Sequence, residues 1–377
     1  MKRAQNRLSI LKVCTSRSWG GLEMHTVHLC ELLRERGYVI LPVCYKGSRI
    51  DQQLVRAGFK PFYLNVKSYI HPFLIFRLAR KIRNSDIDII HSDYSKDLWT
   101  IVPAVRLSKK LPIVLLKHIG TQKPKRDPFH RWIYRNVNQI IAISNVIREN
   151  VVNTHPIAPE RVSVIHNGIS LETFSPSPTD RETARREFSF SADELVIGII
   201  GRLQVGKGYL EFLEMASTIS KSFENVKFLI VGEATYGHNA EADMILGKID
   251  EWQLRDKCIC TGYREDVPRL LSAMDIFVFP SRAEAFGLVL IEAMAMHLPV
   301  IACRSDGVLD VVVENETGLL FTPKNVPELN HAVAELIRHP EKRRLLGDNG
   351  FQRVQRLFTD SLMLDRLESL YFSLIKS

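Results

Sequence analysis

Along the whole chain, short apolar runs alternate with amphipathic stretches. Leu8–Thr15 has the pattern of a buried strand and Gly20-Gly21 follows as a turn. Glu23–Arg36 places Met24, Val27, Leu29, Leu32 and Leu33 at helical spacing and is closed by Gly37. Tyr38–Tyr45 reads as the next strand, Phe73–Arg83 as a basic amphipathic helix, Ile87–His91 as a strand, Leu98–Leu107 as a helix and Ile113–Leu116 as a strand. Arg131–Val137, Ile140–Ile143 and Val162–Ile165 continue the alternation. Ser170–Arg186, with Ser175-Pro176-Ser177-Pro178-Thr179-Asp180, breaks the periodicity and marks a boundary. A second series follows: strand Leu195–Ile200, helix Tyr209–Ser220, strand Val226–Val231, helix Ala240–Trp252, strand Cys258–Thr261, helix Val267–Ala273, strand Ile276–Phe279, helix Leu288–Met296 and strand Val300–Ala302. Strands that are apolar throughout and separated by helices predict parallel sheets covered on both faces. The expected class is α/β: two tandem doubly wound, Rossmann-like domains, with a ligand in a cleft between strand C-terminal ends.

Length agrees with two domains, 377 residues at roughly 100–200 per domain. Charge separates the halves. Residues 1–180 hold 28 Lys+Arg against 13 Asp+Glu, a net of +15, so the remainder is −6 within the overall +9. A basic half points to an anionic partner: nucleic acid, a phospholipid surface or a phosphorylated substrate. The six cysteines (Cys14, Cys30, Cys44, Cys258, Cys260, Cys303) form no CxxC and no metal-ligand spacing, which fits a reducing, cytoplasmic setting. Leu8–Cys14 is interrupted by Lys12 and too short for a signal core, and no run of 18 apolar residues occurs.

Four segments carry candidate chemistry. Glu284-Ala285-Phe286-Gly287-Leu288-Val289-Leu290-Ile291-Glu292 runs from the end of a strand into a helix that should start near Leu288. A helix start is an anion site, because its first N–H groups lack intrahelical partners and its dipole end is positive. Two carboxylates flanking it would repel phosphate, yet they suit hydroxyl groups on either side of a diphosphate. The plain alternative is a capping carboxylate and a solvated helix residue. Gly201–Gly208 has the GxxxxGK spacing of a P-loop between a strand and a helix, but Gly208 lacks the hydroxyl that would hold Mg²⁺. Arg202 and Lys207 there could neutralise a diphosphate leaving group without a metal, or be two surface cations. Gly20-Gly21 would let the backbone approach a ligand. His118 stands at the C-terminal edge of a strand. Asp86-Ile87-Asp88 imitates a metal-binding DxD but precedes its strand, and Ser144 reads as a helix N-cap.

These segments, together with Ala142-Ile143-Ser144, Val164-Ile165-His166-Asn167-Gly168-Ile169, Phe228–Gly232, Gly262-Tyr263, Phe279-Pro280-Ser281 and Thr317-Gly318-Leu319-Leu320, make the chain resemble retaining glycosyltransferase family 4, of the GT-B fold, over nearly its whole length. It departs from the family pattern at Ala285, His297-Leu298, Asp306-Gly307-Val308 and Asp310. The resemblance implies an acceptor-binding domain over 1–175 with a last helix (361–377) crossing back to it, and a nucleotide-sugar domain over 187–358. It implies that Arg202 and Lys207 bind the diphosphate, Glu292 the ribose and Glu284 the transferred sugar. Phe286, Gly287 and Leu288 would supply N–H groups, Gly20 and Gly21 would approach the phosphates, and His118 would contact the sugar near the reacting carbon. Glu284, His118, Arg202 and Lys207 form the expected catalytic set. No metal or other cofactor is implied.

The expected activity is retaining hexosyl transfer from a nucleotide-diphosphate sugar to a hydroxyl of a saccharide acceptor. A GT-B sugar-nucleotide epimerase or hydrolase, and a P-loop NTPase, are the alternatives. Arg106–Arg135 carries nine Lys/Arg, one acid (Asp127) and the aromatics Phe129, Trp132 and Tyr134. An interfacial surface has that mixture, so the expected acceptor is a glycolipid, such as lipopolysaccharide core or a cell-surface polysaccharide precursor. The enzyme would then be cytoplasmic and peripheral on an anionic membrane. Nucleic acid is not expected, because the sheets lack an aromatic stacking set and the basic residues are not ordered as a known module.

Overall fold

The computed structural model describes residues 8–66, 69, 71–234 and 239–376; residues 1–7 and 377, assigned above to the first domain, lie outside them. The chain forms two compact units. One runs to His166 and resumes at Asp360, and the other is Asn167–Thr359. Residues 167–175 therefore lie with the second unit.

The first unit contains β1 (Ser9–Cys14), β2 (Val39–Cys44), β3 (Phe62–Tyr63), β4 (Ile89–Ser92), β5 (Ile113–Lys117), β6 (Gln139–Ala142) and β7 (Val162–Val164). They form one sheet in the order β3-β2-β1-β4-β5-β6-β7, every pair parallel. The second unit contains β8 (Leu195–Ile200), β9 (Val226–Val231), β10 (Cys258–Cys260), β11 (Ile276–Phe279), β12 (Val300–Cys303) and β13 (Gly318–Phe321). Their order is β10-β9-β8-β11-β12-β13, again parallel. The strand order reverses between β1 and β4 in one sheet and between β8 and β11 in the other. In open α/β sheets the loops that diverge at such a point leave a crevice at the strand C-terminal ends.

The strands are apolar on both faces because helices cover both. In the second unit Phe212 and Tyr209, on the helix Tyr209–Ser222, pack onto Ile197, Ile199, Phe228 and Ile230. The helix Asp360–Lys376 belongs to the first unit: Tyr371 is fully buried and its hydroxyl meets His91 Nδ1, while Arg36 pairs with Asp365 at 2.5 Å.

The boundary expected at Ser170–Arg186 is corrected in its second half. Pro178–Glu187 is a helix, capped by Ser177 accepting from Asp180 N–H at 3.2 Å. Its only buried residues are Ala184 and Arg185, so it has no apolar stripe to read. Arginines hold it instead: Arg181 donates to the carbonyls of Ser272 and Met274 at 2.9 and 3.0 Å and pairs with Asp275 at 2.7 Å. The polar helix Arg49–Arg56, the two-residue β3, and the helices Val326–Arg338 and Pro340–Leu357 also add to the expected elements.

Candidate functional site

In the second unit three loops meet at the C-terminal edge of neighbouring strands. The loop after β8 ends in one 3-10 turn, Val205–Lys207, and Gly208 in the left-handed region (φ 78°). A Cβ on Gly208 would lie 2.3 Å from the carbonyl oxygen of Pro280, so only glycine lets this loop press on the end of β11. Arg282 N–H donates to the carbonyl of Gly206 at 3.2 Å, and its Nε to Glu211 at 2.7 Å. The loop after β12 joins the same rim. Gly307 N–H donates to the carbonyl of Glu284 at 2.9 Å, and a Cβ on Gly307 would sit 2.2 Å from that of Ala285.

This rim holds the expected donor residues. Lys207 Nζ donates to Glu284 Oε2 at 2.6 Å, with about a fifth of each side chain exposed. Ser281 Oγ also reaches Glu284, at 3.4 Å. The helix Leu288–Ala295 starts where expected, with Gly287 as left-handed N-cap (φ 88°), so its opening amides face the rim. Phe286 is buried edge-on against Phe358, and Leu288 is exposed. Arg202 is exposed and makes no ion pair among the described residues. Glu292 is half-buried one turn into the helix, and burial pushes its carboxyl up to about 7. The structure thus gathers the loops of Arg202, Lys207, Glu284, Gly287 and Leu288 at one edge. Arg282 and Gly307, which knit them, were not singled out from the sequence. A cation directly after a strand end was the available signal for Arg282, whereas the need for glycine at 307 appears only in three dimensions.

In the first unit Gly20 and Gly21 follow β1 at the start of the helix Gly21–Glu35. Among the described residues a Cβ on Gly21 would meet nothing within 4 Å, so no packing among them demands glycine there. His118 follows β5, buried, its ring edge-on to His25 at 5.0 Å. Beneath them lies an ion pair with both side chains fully buried, Lys12 Nζ to Asp93 Oδ1 at 2.5 Å. Thr26 Oγ1 donates to the other Asp93 oxygen at 2.7 Å, and His91 Nε2 lies 3.3 Å from Oδ1. Burial works against the Asp93 carboxylate, but Lys12 and His91 outweigh it and hold its pKa well below the usual range. Burial brings His118 down to about 4 and puts Asp97, beside Thr15, up to about 7. Lys12, read only as an interruption of an apolar run too short for a signal core, is the residue that sequence alone undervalued.

The basic stretch Arg106–Arg135 does not form one interfacial surface. Lys117 and Tyr134 are buried, while Phe129 and Trp132 are exposed. Arg106, Lys109, Lys110 and Arg135 join Arg161 around a cavity of about 970 Å³ at the opposite, N-terminal edge of the sheet. Val102, Val105, Leu374 and Ile375 also line it. Asp88 caps β1 there by accepting Ser9 N–H at 2.8 Å, and Ser144 caps Asn145–Thr154 by accepting Ile147 N–H at 3.4 Å. Among the described residues no cluster of three or more His, Cys, Asp or Glu is arranged to hold a metal, and no helix is long and apolar enough to cross a membrane.

Known proteins share both units. The family model of glycosyl transferases group 1 matches residues 180–353, and that of Glycosyltransferase Family 4 matches residues 19–173. The capsular polysaccharide biosynthesis glycosyltransferase CapM of Staphylococcus aureus is 28% identical over 243 residues, covering 63% of this chain and 62% of that protein. The chain therefore spans less than two thirds of that relative's length. The UDP-Gal:alpha-D-GlcNAc-diphosphoundecaprenol alpha-1,3-galactosyltransferase of Escherichia coli is 23% identical over 394 residues, 100% of this chain and 99% of that one. Among solved structures, Anabaena HepE in complex with UDP and glucose superposes with a TM-score of 0.82 at 21% identity, covering 97% and 99% of the two chains. That likeness identifies the fold as GT-B.

Proposed function

Because the chain belongs to the group 1, family 4 glycosyltransferases, we propose that it transfers a hexosyl group from a nucleotide-diphosphate sugar to a hydroxyl of a saccharide or glycolipid acceptor, with retention at the anomeric carbon and without a metal. The observation that carries this reading is the Lys207–Glu284 pair on a glycine-locked rim beside a helix start. At the rim the ammonium is held by the carboxylate. A donor diphosphate offers Lys207 and Arg202 a stronger anion, which frees Glu284 to accept hydrogen bonds from hydroxyls of the transferred sugar. The amides of Gly287 and Leu288, at the helix start, would face the charge that grows on the leaving phosphate, and Glu292, one turn on, would take the ribose hydroxyls. Gly20-Gly21 offers backbone to the phosphates, and an uncharged His118 suits a neutral sugar hydroxyl.

The bond from the anomeric carbon to the phosphate oxygen breaks as the acceptor oxygen bonds to that carbon on the same face. The acceptor's proton passes to the leaving phosphate oxygen, so no protein nucleophile or metal is required. UDP-Gal in the Escherichia coli relative's name and UDP with glucose on the Anabaena neighbour favour a UDP-hexose. The words capsular polysaccharide and diphosphoundecaprenol favour a lipid-linked envelope precursor over lipopolysaccharide core. Such an acceptor would place the enzyme on the cytoplasmic membrane face, with the cationic N-terminal-edge cavity against anionic headgroups.

A panel of UDP-, GDP- and ADP-hexoses, assayed with lipid-linked acceptors in EDTA, tests the reading, and the anomeric coupling constant of the product reports retention. Inversion, or loss of transfer in EDTA, would refute the mechanism; rapid donor consumption without acceptor would refute transfer. Cosedimentation with anionic but not zwitterionic vesicles checks the membrane claim, and no binding at low salt would remove it.

A further inference from the structure

Lys117 ends β5, one residue before His118, and its ammonium is held without an acid. Only 8% of the residue is exposed. Nζ donates to Thr121 Oγ1 at 3.2 Å and to Ser95 Oγ at 3.4 Å, and among the described residues it makes no ion pair. Charge-assisted hydrogen bonds are normally about 2.7–2.9 Å, so these two hydroxyls hold the cation loosely. An ammonium has three N–H donors, and the third has no acceptor among the described residues. A buried charge is costly unless it is paired. Lys12, in the same sheet, meets that condition through Asp93 at 2.5 Å. For Lys117 the neighbouring charge that acts on it is itself positive. Burial first, and Lys125 second, bring the ammonium down to about 8, so it is still charged at neutral pH.

We propose that Lys117, Thr121 and Ser95 form an oxyanion subsite for the acceptor, which holds a phosphate group carried by the saccharide that receives the sugar. The loop after β5 is already set to receive it. Asn150, on the helix Asn145–Thr154, accepts Thr121 N–H at 2.6 Å and donates to the Thr121 carbonyl at 3.2 Å, which fixes that residue from both sides. The carbonyl of Thr154, at the end of the same helix, accepts Lys125 N–H at 2.7 Å. Ser95 opens the 3-10 turn Ser95–Asp97 that follows β4, so both hydroxyls stand at the strand C-terminal edge that carries His118. Ser95, Thr121 and Lys125 are partly exposed, and the cluster opens to solvent there. Each hydroxyl accepts from Lys117 and keeps its own O–H to donate. His155 Nε2, at 3.5 Å from Thr121 Oγ1, competes only weakly for that proton. Two lysines and two hydroxyls match a phosphate, with about two negative charges and three outer oxygens, better than a singly charged carboxylate. A sugar phosphate and the diphosphate bridge of a lipid-linked saccharide share this chemistry. The anion site stands on the first unit alone; its use by an acceptor rests on the transfer reading.

The test is calorimetric titration of the full chain and of K117M with inorganic pyrophosphate, GlcNAc 1-phosphate, GlcNAc-diphosphofarnesol and methyl GlcNAc, each with saturating UDP to fill the donor rim. The wild type binds the phosphorylated probes about tenfold or more tighter than methyl GlcNAc, and K117M brings that ratio to about 1, the loss of hydrogen bonds to a charged group. A preference that includes the monophosphate upholds the subsite with a sugar phosphate as its ligand. A preference for the diphosphates alone upholds it with the lipid-linked bridge. No binding of any phosphorylated probe at millimolar concentration overturns the proposal. So does a preference that survives in K117M, because the phosphate then sits elsewhere. Binding needs no turnover, so a preference that depends on Lys117 in a protein that transfers nothing counts against the transfer reading and not against the subsite. If K117M does not fold, T121V, in which the bonds from Asn150 to the backbone remain, applies the same criterion.

Discussion

The two sheets have the same parallel construction and the same reversal point, yet they treat charge at the strand ends in opposite ways. In the first unit the charges are sealed. Lys12 and Asp93 are fully buried and paired, and His25, His91 and His118 are held neutral beside them. In the second unit Lys207 and Glu284 are partly exposed and Arg202 is exposed. A fully buried pair cannot be exchanged for a ligand without stranding a charge, whereas a pair with about a fifth of each side chain exposed meets solvent and is exchanged at lower cost. One edge keeps this pair out of reach, and the other leaves its pair open to exchange.

K207A should break this contrast most visibly. Removing a cation aimed at the leaving phosphate lowers kcat by about 10²–10³. The melting temperature should change little, because a partly exposed pair at the rim contributes about 1 kcal/mol. K12A should do the reverse. Stranding Asp93 destabilises the protein by about 3–5 kcal/mol, measured as the shift in a urea unfolding midpoint. If K207A unfolds the chain, or K12A leaves stability intact, the contrast is wrong.

E292Q sharpens the picture. Its carboxyl is raised from 4.5 to about 7 by burial, so the protonated form's stabilising share is complete below 4.5 and is lost as pH rises through 7. The glutamine variant should therefore gain melting temperature at pH 8 and gain less at pH 5. Its affinity for the nucleotide should fall about tenfold at pH 8, the loss of a charge-assisted hydrogen bond, by isothermal titration calorimetry. The smallest effect belongs to G21A. With nothing within 4 Å of the new methyl, stability should rise by about 0.4–1 kcal/mol while donor affinity falls. Unchanged donor affinity would mean that no ligand approaches there.

Much of the fold could be read from the chain because parallel strands are apolar on both faces, and runs such as Val226–Val231 are local signals. The helix Pro178–Glu187 could not be read, because Arg181 and Arg185 secure it through carbonyls some 90 residues away. The donor loops were legible as motifs since glycine, lysine and glutamate sit at fixed offsets within 201–208 and 284–292. Their mutual locking was not, because it depends on a Cβ that Gly208 and Gly307 lack. The basic stretch misled for a related reason: β5 and the helix Pro128–Arg135 turn Lys117 and Tyr134 inward, so neighbours in sequence part company in space.

The helix Asp360–Lys376 has a consequence for synthesis. Its Tyr371 fills the first unit beside His91, but it leaves the ribosome only after Asn167–Thr359, a continuous stretch able to fold as it emerges. Until then β4 is left with a hole the size of a tyrosine and an unanswered imidazole. The second unit is continuous in sequence and can complete its core before the helix Asp360–Lys376 is available to fill that of the first.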